Sequence, residues 1–211
     1  MICSITNTIG TNSSFQTAPS YCSADTSPKK FPNVKVKNVK SSDLFLTNER
    51  VKLVVDLSLF EKIQEESHGG WNKKMTQIVG KALRVHRITE KGDVRVKFET
   101  EPNVRWTIYT FLLNRIECDF GIGDLVYVNK DERVAKHILD TNWNQNLSKF
   151  LGQIGQIVDI KSNGELLINS SDNSHFLICK ELCYKISESK LSENYSGSNN
   201  LQDFTSQKFK E

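Results

Sequence analysis

The sequence predicts a mainly β protein: two small five-stranded barrels in tandem, each with one inserted helix, between polar termini expected to be disordered. Three observations carry that expectation. The apolar residues gather between Leu44 and Ile186, with polar stretches on either side. The central region repeats itself. Within each copy, short alternating runs and turn residues follow one another in the same order.

Composition sets the outer limits. A chain of 211 residues makes one or two domains. Its hydrophobic share is 37%, below the roughly 45–50% apolar share of folded domains, so part of the chain should be unfolded. Ser4 to Ser27 holds 13 Ser, Thr or Asn, too little apolar surface to offset its ordering entropy. Residues 1–43 are therefore expected to be a disordered stretch and linker, and residues 187–211 a disordered tail. With 28 basic and 25 acidic residues, charge alone argues for neither nucleic acid nor an anionic membrane. No apolar run approaches the roughly 20 residues of a membrane span, so no membrane insertion is expected. Met1 to Ser27 lacks Lys and Arg and matches neither a signal nor a transit peptide, which makes a cytoplasmic location the expectation. The cysteines are odd in number and contain no C-x-x-C pair. Cys179 and Cys183 stand four apart, but no further ligands complete a zinc set. No metal, no cofactor and no RING module are expected.

The duplication is read from residue types kept in order. Trp71 recurs as Trp143, an offset of 72, and the same offset maps Gly80 on Gly152, Val85 on Ile157, Gly92 on Gly164 and Val96 on Ile168. Upstream the offset is 75, mapping Phe45 on Phe120, Val51 on Val126 and Ile63 on Ile138. Downstream it is 70, mapping Trp106 on Phe176, Leu112 on Leu182 and Ile116 on Ile186. The copies occupy residues 44–116 and 117–186.

Each copy should open with a strand, Val51 to Val55 or Leu125 to Val128. A helix follows, capped by Asp56 or Asp131. Leu59, Phe60 and Ile63 make its apolar face in the first copy, Val134 and Ile138 a weaker one in the second. His68-Gly69-Gly70 stops the first helix. The second copy lacks those glycines. In the next strand the apolar residues Ala82, Val85 and Ile88, or Ile154, Ile157 and Ile160, stand three apart rather than two, which predicts a bulge. Lys91-Gly92-Asp93 and Ser162-Asn163-Gly164 are hairpin turns. Val94 to Phe98 then alternates, apolar in and basic out, with Leu166 to Ile168 as its counterpart. Arg105 to Ile108 forms a fourth strand, and Leu112 to Ile116 closes the unit. Five short strands twisted by a bulge in so short a copy predict an SH3-like barrel.

These residues resemble the repeat module of the Mind bomb family of ubiquitin ligases. The first copy supplies His68-Gly69-Gly70-Trp71, Met75, Gly80, Val85, Gly92-Asp93-Val94-Arg95-Val96 and Arg105-Trp106-Thr107. The second supplies Gly123-Asp124-Leu125-Val126, Trp143, Leu147, Leu151-Gly152-Gln153-Ile154-Gly155-Gln156-Ile157 and Asn163-Gly164-Glu165-Leu166. Asn48-Glu49 stands where the family has Gly-Asp, and His175-Phe176 where it has Arg-Trp-Thr. The resemblance implies a substrate-recognition unit that binds cytoplasmic peptide tails of the Notch-ligand kind, without the ligase's catalytic segment.

Charge divides unevenly between the copies. Arg50 to Ile116 has 13 basic and 8 acidic residues, Glu117 to Ile186 has 7 and 10. A peptide site is expected on the first copy, built from Arg95, Lys97, Arg105, Trp106, Arg84 and Trp71. Trp71 also suits core packing, and His68 suits a helix C-terminal cap. No nucleophile, phosphate loop or acid–base pair suggests an enzyme. Two other readings stand beside this one: a nucleic-acid-binding tandem barrel, and a truncated relative or fragment of a RING ligase.

Overall fold

The computed structural model describes residues 39–101 and 103–186. Most of the two stretches expected to be disordered lies outside the described residues. Within them, a helical turn, α1 (Ser41–Leu44), falls inside the expected linker, and it buries Leu44.

The first copy contains β1 (Arg50–Leu53), α2 (Leu57–Ser67), β2 (Leu83–Ile88), β3 (Val94–Phe98), β4 (Arg105–Ile108) and β5 (Leu113–Arg115). The second contains β6 (Leu125–Val128), α3 (Glu132–Leu139), β7 (Ile154–Ile160), β8 (Glu165–Ser170), β9 (His175–Cys179) and β10 (Cys183–Ile186). Short 3-10 turns precede β2, β5, β7 and β10. Each copy forms one five-stranded antiparallel sheet, in the orders β4-β3-β2-β1-β5 and β10-β6-β7-β8-β9. Read from corresponding ends, the two orders are the same. The duplication is thus one of topology as well as of residue types.

Local chemistry explains the elements. Asp56 caps α2 by accepting from Leu59 N at 2.9 Å, and Asp131 caps α3 by accepting from Arg133 N at 3.0 Å. Gly69, at φ +91, follows the end of α2 in the left-handed region. In the second copy Asp140 holds a positive φ of 44 at the same point, and a 3-10 turn, Asp140–Asn142, replaces the glycine stop. The bulges fall where the three-residue spacing placed them. Pairing slips between Val85 and Arg87 in β2 and between Ile157 and Asp159 in β7. Ile160 lies opposite buried Leu166 and so keeps the inward side, but at the end of β7 it is 37% exposed.

The substitution of Asn48-Glu49 for Gly-Asp preserves the local structure. Asn48 takes φ +72, as Gly123 takes φ +93. Asn48 N donates to Val85 O, and Gly123 N to the equivalent Ile157 O. Glu49 pairs with Arg115 at 2.7 Å, and Asp124 with Lys185 at 2.6 Å. Asn tolerates the left-handed region better than other side-chain-bearing residues, which is why it serves here.

The sheets meet along β5 and β10. Asn114 and Tyr184 occupy equivalent places on those strands, and each reaches a main-chain carbonyl of the other copy. Asn114 Nδ2 donates to Glu181 O at 2.7 Å, and Tyr184 Oη to Leu113 O at 3.0 Å. Asn129, fully buried, donates through Nδ2 to Phe111 O at 2.8 Å. Rings from both copies pack around these bonds: Phe45 and Phe111 lie edge-on to Tyr184, and Phe111 also meets Tyr127. Burial raises the Tyr184 phenol well above its ordinary pKa and holds Tyr127 at about 12.

Candidate interaction site

Directly opposed residues of antiparallel strands point to one face. In the first copy Val85, Val96 and Trp106 form a row across β2–β4, and Val85 and Val96 are buried. The residues between them therefore face outward. Lys97 lies opposite both Arg84 and Arg105, while Arg95 lies opposite Arg87 and Thr107. The expected residues Arg84, Arg95, Lys97 and Arg105 are thus brought to one outer face, joined by Arg87.

The cations are not equivalent. Arg84 is engaged, pairing with Glu99 at 3.1 Å and donating to Asn48 O at 3.0 Å. Arg50 joins the same network through Glu99 and Glu117. Arg87, Arg95, Lys97 and Arg105 form no ion pair with any described residue. Among them stands His86, the extra residue of the β2 bulge. Desolvation lowers its pKa first, and the charges of Arg105, Lys97, Arg87 and Arg95 lower it further. Its Nδ1 is buried without a hydrogen-bond partner among the described residues.

The two tryptophans sit elsewhere. Trp106 shares the inner face with Val96, so it points away from Arg105 and Thr107. Its ring is half-buried, and its indole N–H is enclosed with no acceptor among the described residues. Trp71 stands edge-on to Phe60, with ring centroids 5.2 Å apart, and locks α2 to the sheet. Its counterpart Trp143 carries Lys136 over its ring at 5.5 Å. The cations and Trp106 are therefore on different sides of the same sheet, while Trp71 packs beside α2.

Two further residues shape the site. Gln64, buried on α2, donates to Thr107 O at 2.8 Å and accepts from Tyr109 N at 3.4 Å. Those are free-edge groups of β4, so strand addition there is blocked over Thr107–Tyr109. His68 pairs with Asp93 at 3.0 Å and stacks on Tyr109 at 3.9 Å, so it does more than end the helix. A cleft lined by Gly69, Arg87, Thr89, Glu90, Lys91, Asp93 and Thr107 adjoins the cation face at Arg87. Gln64 had no signal in the sequence, being one polar residue on a helix. His86 had one: it lies between the apolar residues whose spacing marks the bulge.

The second copy offers a contrast built on the same frame. Where the first has Arg84, Arg87, Arg95, Lys97 and Arg105, the registers place Gln156, Asp159, Leu167, Asn169 and His175. Thr107 becomes Leu177, 39% exposed. Among the described residues no cluster of three His, Cys, Asp or Glu is placed to hold a metal, and no helix is long and apolar enough to cross a membrane.

Residues 45–110 and 120–178 each match the Mind bomb SH3 repeat domain. The E3 ubiquitin-protein ligase MIB2 of Gallus gallus is 33% identical over 151 residues, which is 70% of this chain. The chain spans 15% of that relative's length. Those two matched repeats cover more than half of the sequence, so the chain belongs to the Mind bomb SH3 repeat family.

Proposed function

We propose that the repeat pair is a non-catalytic interaction module that grips an acidic peptide segment on the outer face of β2–β4. Each sheet is read as a small SH3-like barrel. The partner class is a cytoplasmic tail of the Notch-ligand kind, which also implies a cytoplasmic location and a part in substrate recognition for ubiquitin ligation. One observation carries the reading: Arg95, Lys97 and Arg105 share a face with Arg87, and none of the four forms an ion pair with a described residue. Such a face speeds encounter with an acidic partner and rewards charge-assisted hydrogen bonds. Trp106 and Trp71 support it from the core side. The blocked edge at Gln64 favours side-chain recognition over strand addition.

The test is the double variant Arg95→Glu/Lys97→Glu, titrated with a ligand-tail peptide by calorimetry. Affinity should fall by roughly 1–3 kcal/mol while circular dichroism stays native. Unchanged affinity in a folded variant would remove the site from this face. The same cations favour a second reading, a nucleic-acid interface. RNA or DNA binding that falls steeply with ionic strength would select it.

A further inference from the structure

We infer that the four unpaired cations around His86 form a dianion site, and that its ligand is a phosphorylated side chain of the bound peptide. The inference rests on the peptide reading above and names the chemistry of its central contact.

The second copy supplies an internal control. It builds the same bulged sheet with the same registers, yet carries no Arg or Lys at the five equivalent outward positions. The fold therefore does not require these cations. Gathering Arg87, Arg95, Lys97 and Arg105 on one face sets like charges side by side, and none of them forms an ion pair with a described residue. An anionic ligand would complement them.

Spacing and charge decide which ligand. Opposed Cα atoms across the strands are about 5 Å apart, and alternate residues along one strand about 7 Å apart. Arg95, Lys97, Arg87 and Arg105 thus root within a patch that their long side chains can close over one small group. A carboxylate brings one charge and two oxygens, leaving most of the cluster unneutralised. A phosphoryl group brings a charge of roughly −1.5 to −2 and three acceptor oxygens, which several donors engage together. Arginine forks suit that geometry. His86 stands among these cations, with its Nδ1 buried and without a hydrogen-bond partner among the described residues.

His86 also reports on occupancy. Its pKa is lowered in the free protein by desolvation and by those same four cations. A bound dianion opposes the cations, so the midpoint must rise. The experiment follows the histidine ring signals of the full chain by NMR across pH. Inorganic phosphate and O-phosphoserine are the probes, with chloride at matched ionic strength as reference. The His86 midpoint should rise by about one pH unit at saturation. His175, on the equivalent face of the second copy, should not respond. The Arg95→Gln/Lys97→Gln variant should lose the effect with its spectrum otherwise intact.

A second arm compares a Glu-rich decapeptide carrying one phosphoserine with its unphosphorylated form. The phosphorylated peptide should bind about tenfold tighter, or 1.4 kcal/mol. An unmoved His86 midpoint, an equal response at His175, equal peptide affinities, or tighter binding of a 12-mer RNA than of the phosphopeptide would each overturn the inference. If phosphoserine moves His86 but a ligand tail does not bind, the tail reading fails and the anion site stands. If the tail binds and His86 is silent, the reverse holds.

Discussion

Replacing Asn129 with leucine tests whether the two repeats fold as one body. Asn129 follows β6 and is fully buried between the sheets. Its Nδ2 donates to Phe111 O at 2.8 Å and to Tyr184 Oη at 3.3 Å, while its Oδ1 accepts from Asp131 N at 2.9 Å. Leucine matches it closely in volume, so cavity formation adds little. What remains is a carbonyl in the first copy and an amide at the cap of α3, both stripped of a buried partner. Each such loss costs about 1–3 kcal/mol, so the variant should lose about 2–6 kcal/mol. Urea unfolding of the full chain, followed by tryptophan fluorescence and by circular dichroism, gives the number. The Asn129→Leu/Tyr184→Phe double variant should lose less than the sum of the single variants, because the two side chains share a contact. A loss below about 1 kcal/mol, with strict additivity, would refute the idea that this buried network couples the repeats.

Two other outcomes follow from the packing. A methyl group on Gly155 would sit 2.3 Å from Ile168 Cγ2 and 2.9 Å from Asn169 O. Gly155→Ala should therefore destabilise by about 1–3 kcal/mol in the same urea assay, and a neutral result would show that β7 and β8 are further apart there. Burial holds the Tyr127 phenol at about 12, above its unfolded value of about 10. The folded state thus binds this proton more tightly, so the stability it contributes is intact below pH 10 and lost as pH rises through 12, about 2–3 kcal/mol in full. Tyr127→Phe should flatten that alkaline loss, and an unchanged pH profile would sink the assignment.

Much of the fold was legible because its signals are local. A cap needs Asp beside an apolar run, a tight turn needs Gly or Asn-Gly, and a bulge shows as three-residue spacing. Alternation in Val94 to Phe98 placed Arg95 and Lys97 on one side, and pairing with β4 added Arg105. The duplication offsets anticipated the match of Trp106 with Phe176, which the strand registers reproduce. The illegible parts depend on contacts distant in sequence. Asn129 looks like any turn residue until Phe111 O is seen above it. Gln64 looks like solvated helix surface, yet closes the edge of β4. Ile160 keeps its inward place opposite Leu166, but how little covers it at the end of β7 is not written in the period.

The junction joins two related halves within one polypeptide. Positions 114 and 184 are equivalents, and each donates into the other half, although their acceptors, the carbonyls of Glu181 and Leu113, are not each other's counterparts. Separate chains would find each other only above their dissociation constant. The covalent link keeps the halves at a local concentration on the millimolar scale, independent of how much protein is present. It also lifts the constraint that both halves be identical. An asparagine on one side can oppose a tyrosine on the other, and one outer face can collect arginines while its twin collects leucines. The tether thus keeps the two hands clasped while leaving the two palms free to hold different things.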